Sequence, residues 1–208
     1  MPEDNLIYRR LENYDDILVK QAVVIHYASL SYKSFITSFG IGFLEKIYRM
    51  ILTSSTGFLL LALDKDNDVK GFILYTLDTG TMFRLFFQNL HVFWISIVGS
   101  ILKKPTVIFK LFQTLFYPAK EGVDIKAELL SIAVKDEYRS KSIGAKLVEH
   151  LDNEMVSLGI REYKVAVLQN MERSNHFYGR LGFQLTNSFN MYNQRWNLYV
   201  RKLHHEKY

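Results

Sequence analysis

ELLSIAVKDEYRSKSIGAKLVEHLDNEMVSL, running from Glu128 to Leu158, contains one complete structural unit. Leu129 to Val134 is a short run of mostly strand-compatible apolar residues, as found in a strand covered on both faces. The charged stretch Lys135 to Tyr138 breaks it. From Ser140 onward the apolar residues fall at Ile143, Leu147, Val148, Leu151, Met155 and Leu158, which is helical spacing, and Gly159 stands where a helix would stop. The order is strand, turn, helix.

Such a unit offers a helix N-terminus, with unpaired backbone N–H groups and partial positive charge directed into the turn, and so it attracts phosphate. Arg139, Ser140, Lys141, Ser142 and Gly144 line that turn. Small residues at Ser142, Gly144 and Ala145 let a pyrophosphate approach the main chain, while Arg139 and Lys141 add formal charge. Many basic strand–turn–helix units bind nothing, so the turn alone leaves both readings open.

The stretch IAVKDEYRSKSIGAKLVEHL resembles the acyl-CoA-binding motif of the GCN5-related N-acetyltransferase (GNAT) superfamily. In that motif Arg or Gln, two residues, Gly, one residue, and Gly or Ala open the helix that holds the CoA pyrophosphate. Arg139, Ser142 and Gly144 occupy these positions, and Ser142 stands where the family usually has Gly. Serine costs backbone freedom there but can offer its hydroxyl to phosphate. A second stretch, SNHFYGRLGF from Ser174 to Phe183, resembles the family's later Asn-x-x-Tyr-x-x-x-Gly-Phe segment. The resemblance implies an α/β (α+β) fold with a central mixed, mostly antiparallel twisted sheet flanked by helices.

Composition fits one globular domain over residues 1–208, which the resemblance makes an acyltransferase domain: the chain has 208 residues, 49% hydrophobic and 14% aromatic. The absence of cysteine excludes disulfides, thiolate metal sites and a cysteinyl acyl-enzyme. No signal segment is visible at Met1 to Arg10, which makes the cytoplasm the expected compartment. The net charge of +5 is spread along the chain, without an arginine-rich run or zinc-finger spacing, and suits a polyanionic cofactor better than nucleic acid.

Taken in order, Leu6 to Tyr8 reads as a first strand and Asp15 or Asp16 caps a helix to about Tyr27. His26, near that helix's end, fits a role complementing the helix dipole more readily than catalysis. A second helix starts near Gly42 with Phe43, Leu44, Ile47, Tyr48 and Ile51 inward. The segment around it resembles acetyltransferases of polysaccharide and surface-sugar pathways, and in the family the loop between the first two helices shapes the acceptor pocket. That makes Tyr32, Lys33 and Phe35 candidate substrate contacts, with an ordinary packed loop as the alternative. Gly57 to Leu63 and Val69 to Leu77 form a hairpin about DKDND.

An insertion from about Thr81 to Tyr117 then precedes the motif strand. Leu85 to Leu102 lacks charge, yet Gln88, Asn89, His91, Ser96 and Ser100 make it a poor membrane span. Phe83, Phe86, Phe87, Leu90, Trp94, Ile97, Val98 and Ile101 share one helical face, and a second pattern follows at Val107 to Phe116, giving an amphipathic helical hairpin. It could cover the sheet or cleft, form a homodimer interface, or rest peripherally on an anionic membrane through residues 83–116. His91 within it reads as a packed polar residue, since no partner sits at metal-ligand spacing, and no metal site is expected. Past the motif helix come a strand at Tyr163 to Leu168, a helix carrying Asn175, Phe177 and Tyr178 and ended by Gly182, and closing strands at Phe183 to Leu185 and Trp196 to Val200. SFNMYNQR between those two strands reads as a turn or irregular segment.

The resemblance also implies roles. Backbone N–H groups near Ile132, Ala133 and Val134 would pair with pantetheine and polarise the thioester carbonyl, and the turn from Arg139 through Ile143, Gly144 and Ala145 would hold the pyrophosphate. Tyr178 matches the tyrosine beside the CoA sulfur and would protonate the leaving thiolate, or merely pack on the cofactor. Asn175, on the same helix face, would hydrogen-bond the cofactor. Glu128 is the carboxylate placed to take the amine proton, with an exposed strand-start glutamate as the plain alternative. The expected activity is acetyl transfer from acetyl-CoA, or another acyl-CoA, to a primary amine of a small molecule such as an amino-sugar nucleotide. A catalytically inactive CoA-binding or assembly module, or a protein or peptide N-acetyltransferase, is the alternative. A Rossmann dinucleotide binder does not fit, because the turn lacks GxGxxG.

Overall fold

The computed structural model describes residues 6–30, 36–93 and 122–203. The chain forms two compact units, Met1–Thr76 with Leu130–Glu154 and Leu77–Leu129 with Met155–Tyr208. Tyr32, Lys33 and Phe35 lie outside the described residues, as do Trp94 and the second half of the insertion.

In the first unit the strand order is β1 (Ile7–Arg10), β2 (Gly57–Leu63), β3 (Val69–Thr76) and then β4 (Glu128–Val134). β1 to β3 pair antiparallel. α1 (Asp16–Leu30) begins where the Asp15 carboxylate accepts from the N–H groups of Ile17 and Leu18, as expected of a cap. α2 (Ile41–Leu52) buries Phe43, Leu44, Ile47, Tyr48 and Ile51, the face read from its spacing. Both helices lie on the face of β3 that carries Phe72, where His26 of α1 stacks on the Phe72 ring at 6.0 Å. α4 (Ile143–Ser157) lies on the other face. Gly71 makes room for it, since a side-chain carbon there would come within 3.1 Å of the Ala133 carbonyl and 3.3 Å of Leu147. Ile143, Leu147, Val148, Leu151 and Met155 of α4 are buried. Leu158 is not: the helix stops at Ser157, and with Gly159 at φ 74 the chain has turned away, leaving Leu158 43% exposed.

His26 corrects the expectation of a dipole role. α1 continues to Leu30, so the ring sits more than a turn inside the helix end, buried against Tyr48 Oη at 2.9 Å and Ser131 Oγ at 3.4 Å. Burial pulls its pKa down to about 4, so it carries no charge at neutral pH to set against the dipole.

In the second unit the order is β4, β5 (Glu162–Leu168), β7 (Gln194–Lys202) and β6 (Gln184–Met191). β4 and β5 run parallel and pair at Glu128 and Lys164, while β5/β7 and β6/β7 are antiparallel. The seven strands are thus mixed but mostly antiparallel, as expected. SFNMYNQR is strand rather than irregular: β6 reaches Met191, Phe189 and Met191 point inward, and only Tyr192 and Asn193, at φ 57 and 59, make the turn. Two successive residues at positive φ are what a two-residue hairpin between twisted strands requires.

Side-chain alternation gives this sheet two chemically different faces. One carries Tyr163, Asn197 and Tyr199, and α5 (Glu172–Arg180) packs there. The other carries Lys164, Ala166, Trp196 and Leu198, together with Phe189 and Met191 of β6. Phe83 of α3 (Thr79–Gln88) packs on that second face. α3 is entered from Asp78, whose carboxylate caps it by accepting from Thr81 N–H. The continuous helix expected through this stretch is interrupted, because α3 ends at the Asn89 cap and helical turns resume at Leu90. That break resets the phase: Leu90 is 38% exposed while Phe93 is fully buried. His91 is exposed rather than packed.

Candidate active site

The phosphate turn belongs to the first unit. After β4 a short 3-10 turn, Asp136–Tyr138, leads into Arg139, and the first helical bond runs from Lys146 N–H to the Ser142 carbonyl. Ser140 and Ser142 both take the left-handed conformation, at φ 65 and 59. Ser142 thus adopts the backbone conformation that favours glycine, which accounts for the glycine usual there in the resembling motif. The turn delivers the chain to Ile143, Gly144 and Ala145, whose N–H groups form the first turn of α4 and have no intrahelical carbonyl to bond. Ser142→Gly should relieve about 1 kcal/mol of left-handed strain and raise the thermal midpoint by about 2–4 °C. An unchanged or lower midpoint would show that the turn holds serine without cost.

The cations of the turn are organised in ways composition did not reveal. Arg139 bonds Asp136 at 2.6 Å and reaches Ser29 Oγ at the end of α1 at 3.4 Å. Lys141 lies 4.8 Å above the Tyr138 ring, and Lys70 of β3 lies 5.1 Å from that ring. Lys70 is itself buried. Burial opposes its charge, yet the Asp64 carboxylate at 2.7 Å outweighs that and raises its pKa. The Tyr138 ring thus meets two ammonium groups, Lys141 at the turn and Lys70 already paired with Asp64. Tyr138 had looked like part of a charged break, and Lys70 like an ordinary strand residue, so neither signalled this in the sequence.

The candidate acid and base belong to the second unit. Tyr178 is 4% exposed on α5, its ring set against Phe177, Phe183 and Tyr199. Burial pushes its pKa well above the ordinary phenol value, so it stays a proton donor. Glu128 is not the exposed strand-start residue of the plain alternative. It is 4% exposed, and its Oε2 lies 4.0 Å from Nζ of Lys164, itself 2% exposed. Since Lys164 and Tyr163 are neighbours on β5, Glu128 and Tyr178 present themselves on opposite faces of the sheet.

Asn175 differs from expectation. Its Nδ2 donates to the Leu168 carbonyl at 2.9 Å and the Met171 carbonyl at 2.8 Å, with the Gln169 carbonyl at 3.3 Å. Its Oδ1 accepts from Asn197 Nδ2 at 2.8 Å and Tyr199 Oη at 3.0 Å. These bonds use both amide protons and both lone pairs, so a cofactor bond would have to displace one. Asn175 thereby ties α5 to β5 and β7 and, through Tyr199, helps to set the Tyr178 ring. Among the described residues, no group of His, Cys, Asp or Glu is arranged to hold a metal ion.

A mixed sheet with helices on its faces, and a basic left-handed turn feeding a helix N-terminus, is the architecture that the motif's resemblance implies. Residues 28–183 match the model of the acetyltransferase (GNAT) family, and the chain belongs to that family. Solved structures of the same fold include aminoglycoside 6'-N-acetyltransferase complexed with coenzyme A, 13% identical over 97% of this chain and 99% of that one, with a TM-score of 0.59. An acetyltransferase of the GNAT family from Listeria monocytogenes is 13% identical over 95% of each chain, at 0.57. Ard1 from Thermoplasma volcanium is 12% identical over 95% of this chain and 99% of that one, at 0.58. No curated protein matches the sequence.

Proposed function

We propose that residues 1–208 act as one N-acetyltransferase domain that moves an acetyl group from acetyl-CoA, or another acyl-CoA, directly to a primary amine of a small molecule. The observation that carries this reading is the turn at Arg139–Ala145, with two serines in the left-handed conformation ahead of an unpaired helix N-terminus and cations at Arg139, Lys141 and Lys70. This donor set fits a pyrophosphate. Backbone N–H groups at Ile132, Ala133 and Val134 orient the pantetheine arm and polarise the thioester carbonyl.

In the reaction a C–N bond forms, a C–S bond breaks and one proton moves at each end. Glu128 takes the proton of the attacking amine, and the Tyr178 hydroxyl gives one to the departing sulfur. No covalent enzyme intermediate is needed. Resemblance of the N-terminal half to surface-sugar acetyltransferases supports an amino-sugar nucleotide as acceptor, with Tyr32, Lys33 and Phe35 as its contacts. Phe83, near the start of the insertion at about 81–117, packs on the sheet face, which supports a covering role for that segment. Among the described residues no helix is long and apolar enough to cross a membrane.

Release of free CoA from acetyl-CoA, measured with a thiol reagent across amino-sugar nucleotides, polyamines and peptide N-termini, tests the reading. Turnover is expected with at least one small amine. CoA binding without turnover by any amine would make the chain an inactive binding module, and turnover of peptides alone would make it a protein N-acetyltransferase.

A further inference from the structure

We propose that Lys164 is the positioning residue of the reaction, holding Glu128 in place and keeping it ionised so that it can accept the amine proton. The inference rests on the reading of Glu128 as base and extends it to a residue outside the motifs. Lys164 and Glu128 are paired in the parallel ladder of β4 and β5, and Lys164 N–H bonds the Ala127 carbonyl at 3.0 Å, so the backbone fixes both side chains on one face. Both are buried, and Nζ lies 4.0 Å from Oε2.

A carboxylate taken from water into such surroundings would rather be neutral, and a neutral carboxylic acid cannot serve as a base. The Lys164 ammonium at 4.0 Å acts against that preference. Among the described residues, the other ionisable groups on the elements around Glu128 include Lys126 on its own approach, Glu162 on β5 with Lys202 opposite it on β7, and Asp78 and Arg84 at α3. Asp78 and Arg84 are both bonded to Thr81. Lysine also suits the place physically, because its long apolar stem can pack beside Ala166 and Val200 while only the tip carries charge.

The test uses the full chain in two measurements. With glutamate labelled by 13C at the side-chain carboxyl, and the Glu128 signal assigned by Glu128→Gln, the wild-type carboxyl should be ionised at pH 7. In Lys164→Met its titration should move up so far that only about a tenth to a hundredth of it is ionised at pH 7. In the CoA-release assay, with an acceptor found in the amine panel, Lys164→Met should lose roughly tenfold to a hundredfold in kcat/KM at pH 7 and recover as pH rises, while Lys164→Arg keeps the wild-type profile.

A wild-type Glu128 protonated at pH 7, or a folded Lys164→Met with the wild-type pH dependence, would overturn the proposal. Should Lys164→Met misfold, Lys164→Gln is read in the same titration and assay, so the question stays decidable. If Glu128→Gln turns over like the wild type, the base assignment fails instead, and the carboxyl titration still reports whether Lys164 controls Glu128.

Discussion

Tyr178→Phe lowers kcat for CoA release by about 10²–10⁴-fold while CoA binding stays near the wild-type value. The variant keeps the ring, so its packing against Phe177, Phe183 and Tyr199 survives and only the hydroxyl is lost. The departing thiolate must then draw its proton from water, and the loss falls on kcat rather than on affinity. A drop in CoA affinity matching the drop in rate would instead mark the tyrosine as a packing surface for the cofactor. The same burial fixes a second observable. Because the folded pKa lies above the ordinary value of 10.0, the wild-type rate should show no alkaline decline from this group below about pH 10. The unfolded phenol ionises first, so the unfolded state holds fewer protons there, and the contribution of Tyr178 to stability is lost as pH rises above that value.

How much of this was readable in the chain depends on whether each signal is local. The face of α2, Phe43 to Ile51, follows from spacing alone, and the strand–turn–helix of the motif follows from its apolar run and Gly159. Ser142 could be singled out because a turn of this kind needs φ above zero and the sequence offers serine instead of glycine. Lys164 could not, because its significance is Glu128, far away in sequence and adjacent only once β4 and β5 pair. The internal bonds of Asn175 could not be read either, since the carbonyls of Leu168 and Met171 converge on it only when the β5–α5 connection has folded. The Asn89 break in the insertion was masked by continuous apolar spacing, in which a single cap residue weighs little against a run of aromatics.

His26 makes the fold acid-sensitive in a window that nothing else described here occupies. Its folded pKa is about 4 because its ring is buried between α1, Tyr48 and Ser131, whereas an unfolded histidine titrates near 6.5. Between these values the unfolded chain binds a proton that the native one does not, so the contribution is complete above about pH 6.5 and is lost as pH falls toward 4. Multiplying the difference by 1.36 kcal/mol per unit gives a full loss of about 3 kcal/mol, most of it gone by about pH 4.5. Asp64 and Asp78 have lowered pKa values, through Lys70 and the Asp68 backbone for the first and the Thr81 cap for the second, so their share disappears only below the ordinary 3.8. Urea unfolding of the wild type should therefore lose stability steeply from pH 6.5 to 4.5, and His26→Gln, which keeps a polar partner for Tyr48, should be nearly flat over the same range. Parallel slopes in the two proteins would mean that the histidine is hydrated in solution and that the acid loss arises elsewhere. Since Ser131, 3.4 Å from the His26 ring, lies on the same strand as Ile132 to Val134, protonating the native ring would put a charge beside the backbone proposed to hold the thioester, so CoA affinity should hold steady from pH 6.5 to about 5 and fall only as pH approaches 4.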